Sequence, residues 1–325
     1  MNILITSIGS LTSKEIINDL KGKGHFVLGV DAKFVKNSLV DKFFSCPLAK
    51  NENEYISFIL NACKIEGIEC IIPLSTSEVK AISNNLELFS RNNIKVKTSS
   101  LEYIDLCQDK SRFYDFCKCN HIETPDYFLC RSSKDIKKFY DKIHKRKKQA
   151  CIKPRFGEGS RGFRIIRNQS LDDLLSTKSS IEISLDELLK TCGEQNFKIL
   201  GMEYLSGEEY SVDILAKDGK VLQIAIRTRD TVMDGFSHKA TFVENNLISS
   251  VCVRLVEKLN LNGLVGFQFK ENELGTPIIL ECNPRVQGGI FFARKAGIDF
   301  IDSYLELCND KAVSNKSYEL ISVER

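Results

Sequence analysis

Three groups of residues in this chain carry side chains that chemistry could use, and the densest is Gln268, Glu281 and Asn283 with Arg285 just behind. Along 264–269, Val265, Phe267 and Phe269 fall on one face of a strand and Gln268 on the other. Along 278–283, Ile278, Leu280 and Cys282 oppose Glu281 and Asn283, two positions about 7 Å apart on one face. A carboxylate and an amide on an otherwise apolar strand are costly to bury without a partner. Magnesium is such a partner, because it takes hard oxygen ligands and completes its shell with waters and phosphate oxygens. Pro284 ends the strand, and Arg285 sets a guanidinium beside the pair, suited to a phosphate or a carboxylate. The plainer alternative is a strand end with solvated polar residues.

The second group is Lys153 followed by a loop containing Gly157, Gly159, Ser160 and Gly162, which returns into a strand at Phe163–Ile166. Glycines let successive backbone N–H groups turn toward one point and form an anion nest, and Lys153 adds a compact positive charge beside it. A phosphate is the natural occupant. No Gly-Lys-Ser/Thr precedes a helix, so this is not a Walker loop, and a glycine-rich hairpin turn is the competing reading. The third group is Glu203-Tyr204-Leu205, a turn at Ser206-Gly207, and Glu209 at the head of an alternating strand. Glu203 and the backbone near Leu205 offer adenine hydrogen-bonding positions, and Glu209 offers a carboxylate for ribose hydroxyls. A hairpin with charged edges has the same pattern. Arg227, Arg229, His238 and Lys239 lie between two strand-like runs, as cations for an acceptor carboxylate or a transferring phosphoryl group, or as surface charge.

The elements that must position these groups form three segments. Residues 1 to about 100 alternate strand and helix signals: strands at 3–6, 26–31, 70–74 and 94–96, and helices at 12–23, 54–66 and 77–92. Such alternation implies right-handed crossovers and a parallel, Rossmann-like sheet in an α/β fold. The turn at Ser7-Ile8-Gly9-Ser10 lacks the three-glycine fingerprint of a dinucleotide site. The second segment opens with a helix through Asp105, Lys110 and Phe116, broken by Thr124-Pro125-Asp126, then a lysine-rich stretch at 134–148. A nucleic-acid patch is one reading of that stretch, but with little aromatic interleaving a solvated helix face is the plainer one. The third holds the strands described above, a Gly-Gly turn and a helix, and the residues after Cys308 form a loose polar tail.

Taken in this order, the pieces resemble the ATP-grasp superfamily over almost the whole chain, above all one synthetase unit of the carbamoyl phosphate synthase large subunit. The resemblance rests on Asp109-Lys110, the Lys153-to-Gly162 loop, Glu203-Tyr204-Leu205, Glu209 to Asp213, Gln268, and Glu281-Cys-Asn-Pro-Arg-Val. It implies a pre-grasp Rossmann-like domain at 1–104, an α+β ATP-grasp domain at 105–309 with a mobile lid at about 125–200, and a tail at 310–325. By the same resemblance Lys110 and Lys153 contact ATP phosphates under the Gly157–Gly162 loop, and Glu203 and Leu205 hold adenine, with Tyr204 between them. Glu209 holds the ribose. Gln268, Glu281 and Asn283 bind magnesium, for which manganese substitutes, and Arg285 stabilises an acyl phosphate. The implied activity is an ADP-forming carboxylate-amine ligase with small-molecule acid and amine substrates, and a homodimer is the assembly many relatives adopt. A carboxyphosphate-forming or kinase-like enzyme, and an ATP-binding regulator without catalysis, are the competing functions.

Composition fits a globular protein. The 46 basic and 43 acidic residues leave +3, too little for a broad nucleic-acid footprint. The first strand has no basic region before it, and no apolar stretch nears the roughly 20 residues that span a bilayer. The twelve cysteines are scattered through apparent strands and helices, as buried thiols of a reducing cytoplasm are. Cys117 and Cys119 have no companion pair at zinc-ligand spacing. No glutaminase, allosteric or biotin-carrier segment is visible.

Overall fold

The computed structural model describes residues 1–36, 39–157, 162–167, 181–193, 197–233, 236–314 and 316–324. Its first 72 residues supply four parallel strands, β1 (Asn2–Ile5), β2 (Phe26–Asp31), β3 (Lys42–Ser45) and β4 (Cys70–Ile72), in the order β3-β2-β1-β4. Helices α1 (Leu11–Gly22) and α2 (Glu52–Glu66) make the crossovers. Both faces of this sheet are covered, so its strands read as continuous apolar runs. Ile3, Ile5, Val27 and Ile72 face one core, and Leu4, Leu28 and Ile71 face the other.

Two helices differ from expectation for the same reason, a short polar side chain that hydrogen-bonds locally. The helix expected over 77–92 is split into α3 (Thr76–Ser83) and α4 (Leu86–Arg91). Between them the Asn85 amide turns back to the Ala81 carbonyl and the Glu52 carboxylate, each at 2.9 Å. The helix expected through Lys110 breaks at Asp109, whose extended backbone (φ −90°, ψ 95°) ends α5 (Leu101–Gln108) and caps α6 (Lys110–Cys119). Residues 94–96 make one isolated bridge, Lys95 to Cys70, rather than a strand.

The middle of the chain forms a five-stranded sheet in the order β5-β9-β6-β7-β8, from β5 (Tyr127–Cys130), β6 (Ala150–Pro154), β7 (Arg164–Arg167), β8 (Glu182–Ser184) and β9 (Ile199–Glu203). Helices α7 (Ser133–Lys145) and α8 (Leu185–Cys192) cover it. Ile136, Phe139, Tyr140 and Ile143 recur at helical spacing on α7 and bury themselves against the sheet. A second sheet is antiparallel, β11-β10-β14-β15, from β10 (Glu209–Lys217), β11 (Lys220–Thr228), β14 (Gly263–Glu271) and β15 (Pro277–Asn283). Its Val212, Ile214, Val265 and Phe267 pack under Phe113 and Tyr114 of α6 and Cys252 and Leu255 of α9 (Asn246–Lys258).

The N-terminal sheet and the antiparallel sheet share a core. Phe292 of α10 (Phe291–Lys295) and Phe300 and Tyr304 of α11 (Phe300–Cys308) lie with Ile3, Ile5 and Leu264 in one cluster. Gly263 marks the closest approach. Its φ is +76°, and a Cβ there would stand 2.2 Å from the Lys97 carbonyl oxygen. The polar stretch after Cys308, expected as a loose tail, packs back. Its β16 (Ser322–Glu324) joins β12 (Thr231–Met233) and β13 (Phe236–Thr241) in a small sheet, with Val323 buried and the Tyr318 hydroxyl donating to the Val243 carbonyl at 2.8 Å. All twelve cysteines are free, and only Cys119 is exposed. Among the described residues no helix is long and apolar enough to cross a membrane.

Candidate active site

The site is built outward from β14 and β15. Gln268 lies opposite Glu281 on β15 and opposite Ser211 on β10. The Asn283 amide donates to the Glu281 carboxylate at 2.9 Å. Thus Gln268, Glu281 and Asn283 converge on one face at the same sheet end. The unbroken alternation expected for β15 does not hold. A register shift between Gln268 and Phe269 pairs Phe269 with Ile279, so Ile279 and Cys282 face the helical core and Leu280 packs at its margin. Such a bulge re-aims the side chains next to it.

Burial opposes ionisation of Glu281, but Lys110 and Lys153, with the Asn283 amide and Arg285, outweigh it and hold the carboxyl below its usual range. Lys153 is under the opposite pressure. Burial brings its ammonium down to about 8, against the pull of Glu281 and with the repulsion of Lys110. Its Nζ donates to the Tyr114 hydroxyl at 2.9 Å, and that hydroxyl donates to the Leu280 carbonyl at 2.8 Å. Tyr114 escaped the sequence reading because an apolar helix face shows only that it is buried.

Lys110 is buried at the start of α6 and donates to the Gly157 carbonyl at 2.7 Å. Beside it the Asp109 carboxylate accepts both arms of Arg155, at 2.7 and 2.6 Å, clamping α6 to the root of the glycine loop. Gly157 (φ +118°) and Gly162 (φ +76°) hold backbone conformations that L side chains rarely adopt. Gly159 and Ser160 lie outside the described residues.

Glu203 ends β9 and is buried, with its carboxylate already engaged: Lys148 donates to one oxygen at 2.6 Å and the Asp126 amide to the other at 3.3 Å. Tyr204 is partly buried with Lys270 5.2 Å above its ring, and its N–H donates to the Gln149 carbonyl at 2.8 Å. Leu205 is buried. Glu209 heads β10 and pairs with Arg229, whose Nε donates to the Ser237 hydroxyl at 3.2 Å.

Arg285 leaves β15 and crosses to the N-terminal segment, where its Nε donates to the Thr76 hydroxyl at 3.2 Å, the first residue of α3. Its other N–H groups reach the Val286 backbone carbonyl at 2.8 Å and the Asn283 side-chain amide oxygen, Oδ1, at 3.4 Å. The remaining cations are more dispersed. Arg227 is buried, 3.2 Å from Asp213 and over the Phe292 ring, so it is neither a surface charge nor open to water. Lys239 sits on the small sheet, half exposed, 3.6 Å from Glu324.

The chain's similarity to known proteins fits this geometry. Residues 195–324 match a family model described as ATP-grasp in the biosynthetic pathway with Ter operon. The carbamoyl phosphate synthase large chain of Thermoanaerobacter sp. (strain X514) is 25% identical over 250 residues, 73% of this chain and 22% of that one. The chain of the same name from Thermoplasma acidophilum is 21% identical over 249 residues, 75% of this chain and 23% of that one. This chain therefore spans under a quarter of the length of the curated relatives it matches. Among solved structures, N5-carboxyaminoimidazole synthetase from Staphylococcus aureus in complex with ADP superposes with a TM-score of 0.70 at 15% identity, covering 97% of this chain and 78% of that one. Biotin carboxylase from Campylobacter jejuni gives 0.69 at 16%, covering 99% and 73%, and L-amino acid ligase from Bacillus licheniformis 0.65 at 15%, covering 94% and 73%.

Proposed function

With the ATP-grasp fold as premise, we propose that this chain is an ATP- and magnesium-dependent carboxylate-amine ligase that works through an acyl phosphate and releases ADP and phosphate. The observation that carries the reading is Glu281, a carboxylate held ionised between two lysines on a face it shares with Gln268 and Asn283. That donor set is all oxygen, as a magnesium site requires. A bound metal would supply charge neutralisation at the phosphates, and Glu281, Asn283 and Gln268 would hold it.

The chain's own residues do the rest. Lys110 and Lys153 balance the negative charge of the phosphates, and the main chain at Gly157 and Gly162 turns toward them. The main chain from Glu203 to Leu205, with Tyr204 alongside, takes adenine, since the Glu203 carboxylate is committed to Lys148. Glu209 takes the ribose. Arg285 is the cation for the donor carboxylate as it attacks phosphorus. Arg227, sealed against Asp213 and Phe292, supports the sheet from within rather than meeting the acceptor, and Lys239 is the remaining cation for it. The β5–β9 unit is the lid that keeps water from the activated acyl group until the amine displaces phosphate.

The test is release of ADP and phosphate with magnesium-ATP, pooled carboxylic acids and hydroxylamine, run beside Glu281→Gln. A hydroxamate formed by the native chain and not by the variant supports the reading. ADP release with bicarbonate alone points to carboxyphosphate chemistry. Binding of ATP without turnover on any pool points to a regulator, and failure to bind ATP overturns the proposal.

A further inference from the structure

The lysines of α7 fit a solvated helix face by composition alone, and their arrangement in the fold argues for a further task. Lys134, Lys138, Lys142 and Lys145 follow one another at four- and three-residue steps, so they form a single stripe along one side of the helix. All four are exposed. Among the described residues none of them has an ion-pair partner, whereas their neighbours Lys137 and Arg146 are matched by Asp141 and Asp126. Like charges four apart on a helix repel each other, a cost offset in part where Lys142 and Lys145 meet the negative end of the helix dipole.

The stripe borders a concavity of about 850 Å³. The other wall is Phe128 of β5, a large apolar side chain left 43% exposed. β5 is the terminal strand of its sheet, paired on one side only, with β9. Phe128 and Cys130 point to the same side of the strand, the side α7 covers. A groove thus runs between a cationic helix edge and a sheet edge that carries an exposed aromatic.

From this geometry we propose that the outer face of the β5–α7 unit is a docking groove for an acidic segment of a partner protein, bound extended, with one apolar side chain seated on Phe128. The spacing fits. Lysines four apart on a helix rise about 6 Å, close to the roughly 6.6 Å between alternate residues of an extended chain, so acids at every second position meet successive ammonium groups. The stripe, about 16 Å long, covers some five extended residues. Nucleic acid fits less well. Single strands are held by rows of stacking aromatics, and Phe128 is the one exposed aromatic among the described residues of the wall.

The experiment measures fluorescence anisotropy of three labelled probes against the full chain: a peptide alternating glutamate with alanine around one central phenylalanine, the same peptide with glutamine for glutamate, and a 20-nucleotide single strand. The expected result is binding of the acidic peptide only, weakened roughly tenfold or more by Lys134→Glu/Lys138→Glu/Lys142→Glu and by 300 mM salt. Phe128→Ser should weaken it severalfold at either salt level, because the apolar contact is not screened. Charge reversal at Lys14, Lys64 and Lys311 is the control for net charge. Tighter binding of the oligonucleotide, an equal loss in the control, or no binding of the peptide each overturns the proposal. All substituted side chains are exposed, and thermal melting of each variant confirms that the fold is kept.

Discussion

The Arg285 guanidinium donates to the Thr76 hydroxyl at 3.2 Å, so the strand that carries Glu281 and Asn283 is tied to the first turn of α3 in the N-terminal segment. A residue two positions beyond Asn283 is therefore oriented by a part of the chain more than 200 residues away. Removing that hydroxyl with Thr76→Val takes away the hydrogen bond that Arg285 Nε makes to the N-terminal segment. A hydrogen bond to a charged group contributes about 1.5–3 kcal/mol, so turnover efficiency should fall roughly tenfold or more. The affinity for ATP alone, measured by calorimetry, should stay within about twofold. An equal loss in both would place Arg285 with the nucleotide instead.

Lys153 makes the active site costly to maintain. Its buried ammonium titrates near 8 rather than 10.5. Folding releases protons from this group between those values, so its destabilising effect is full below pH 8 and is relieved as the pH rises toward 10.5. The gap corresponds to about 3 kcal/mol. Lys153→Met should therefore abolish turnover and raise the thermal midpoint at pH 7. A lower midpoint would mean that the ammonium is a net support of the fold.

The free protein should also lose phosphate affinity as Lys153 deprotonates. ATP binding, followed by calorimetry from pH 6.5 to 9.5, should weaken through about pH 8 in the native chain. In Lys153→Arg the break should vanish, because a guanidinium stays charged throughout.

The clamp between Asp109 and Arg155 predicts a structural defect with a functional shadow. Asp109→Asn leaves Arg155 without its carboxylate, a loss of about 1.5–3 kcal/mol, while the N-cap of α6 is kept because asparagine caps as well as aspartate. Urea unfolding should show that loss, and ATP affinity should drop with it, because Lys110 follows Asp109 directly. Full stability with weakened ATP binding would show that Asp109 acts on the nucleotide rather than on the helix.

Gly263→Ala should be far more damaging than an added methyl group suggests. The residue has a positive φ, and the new Cβ would meet the Lys97 carbonyl at 2.2 Å. A loss above about 4 kcal/mol or failure to fold is expected, read as a collapsed melting transition. A near-native melt would show that the two segments separate easily there.

Much of this site was legible because its residues sit on strands with strong patterns. Glu281 and Asn283 two apart on an apolar run already mark a polar face, and β14 and β15 place Gln268 opposite Glu281 as the alternation implies. What stayed hidden depends on contacts distant in sequence. The bulge after Gln268 leaves no mark in composition, so the alternation misassigned Ile278 and Ile279. The break at Asp109 is set by its capping bond to Arg112 and its fork with Arg155, while the flanking residues all tolerate a helix. Lys148 taking the Glu203 carboxylate, Asp213 burying Arg227 and Thr76 catching Arg285 are pairings that only the folded chain creates.

The small sheet orders events in time as well as space. β13 finds its outer partner in β16, with Thr241 and Ser322 bonded across 81 residues of sequence. During synthesis at about 5–20 residues per second, the strands carrying Glu281 and Gln268 emerge seconds before β16 exists. The hairpin holding Lys239 must wait for its outer strand, so the small sheet takes shape after the strands that carry Glu281 and Gln268.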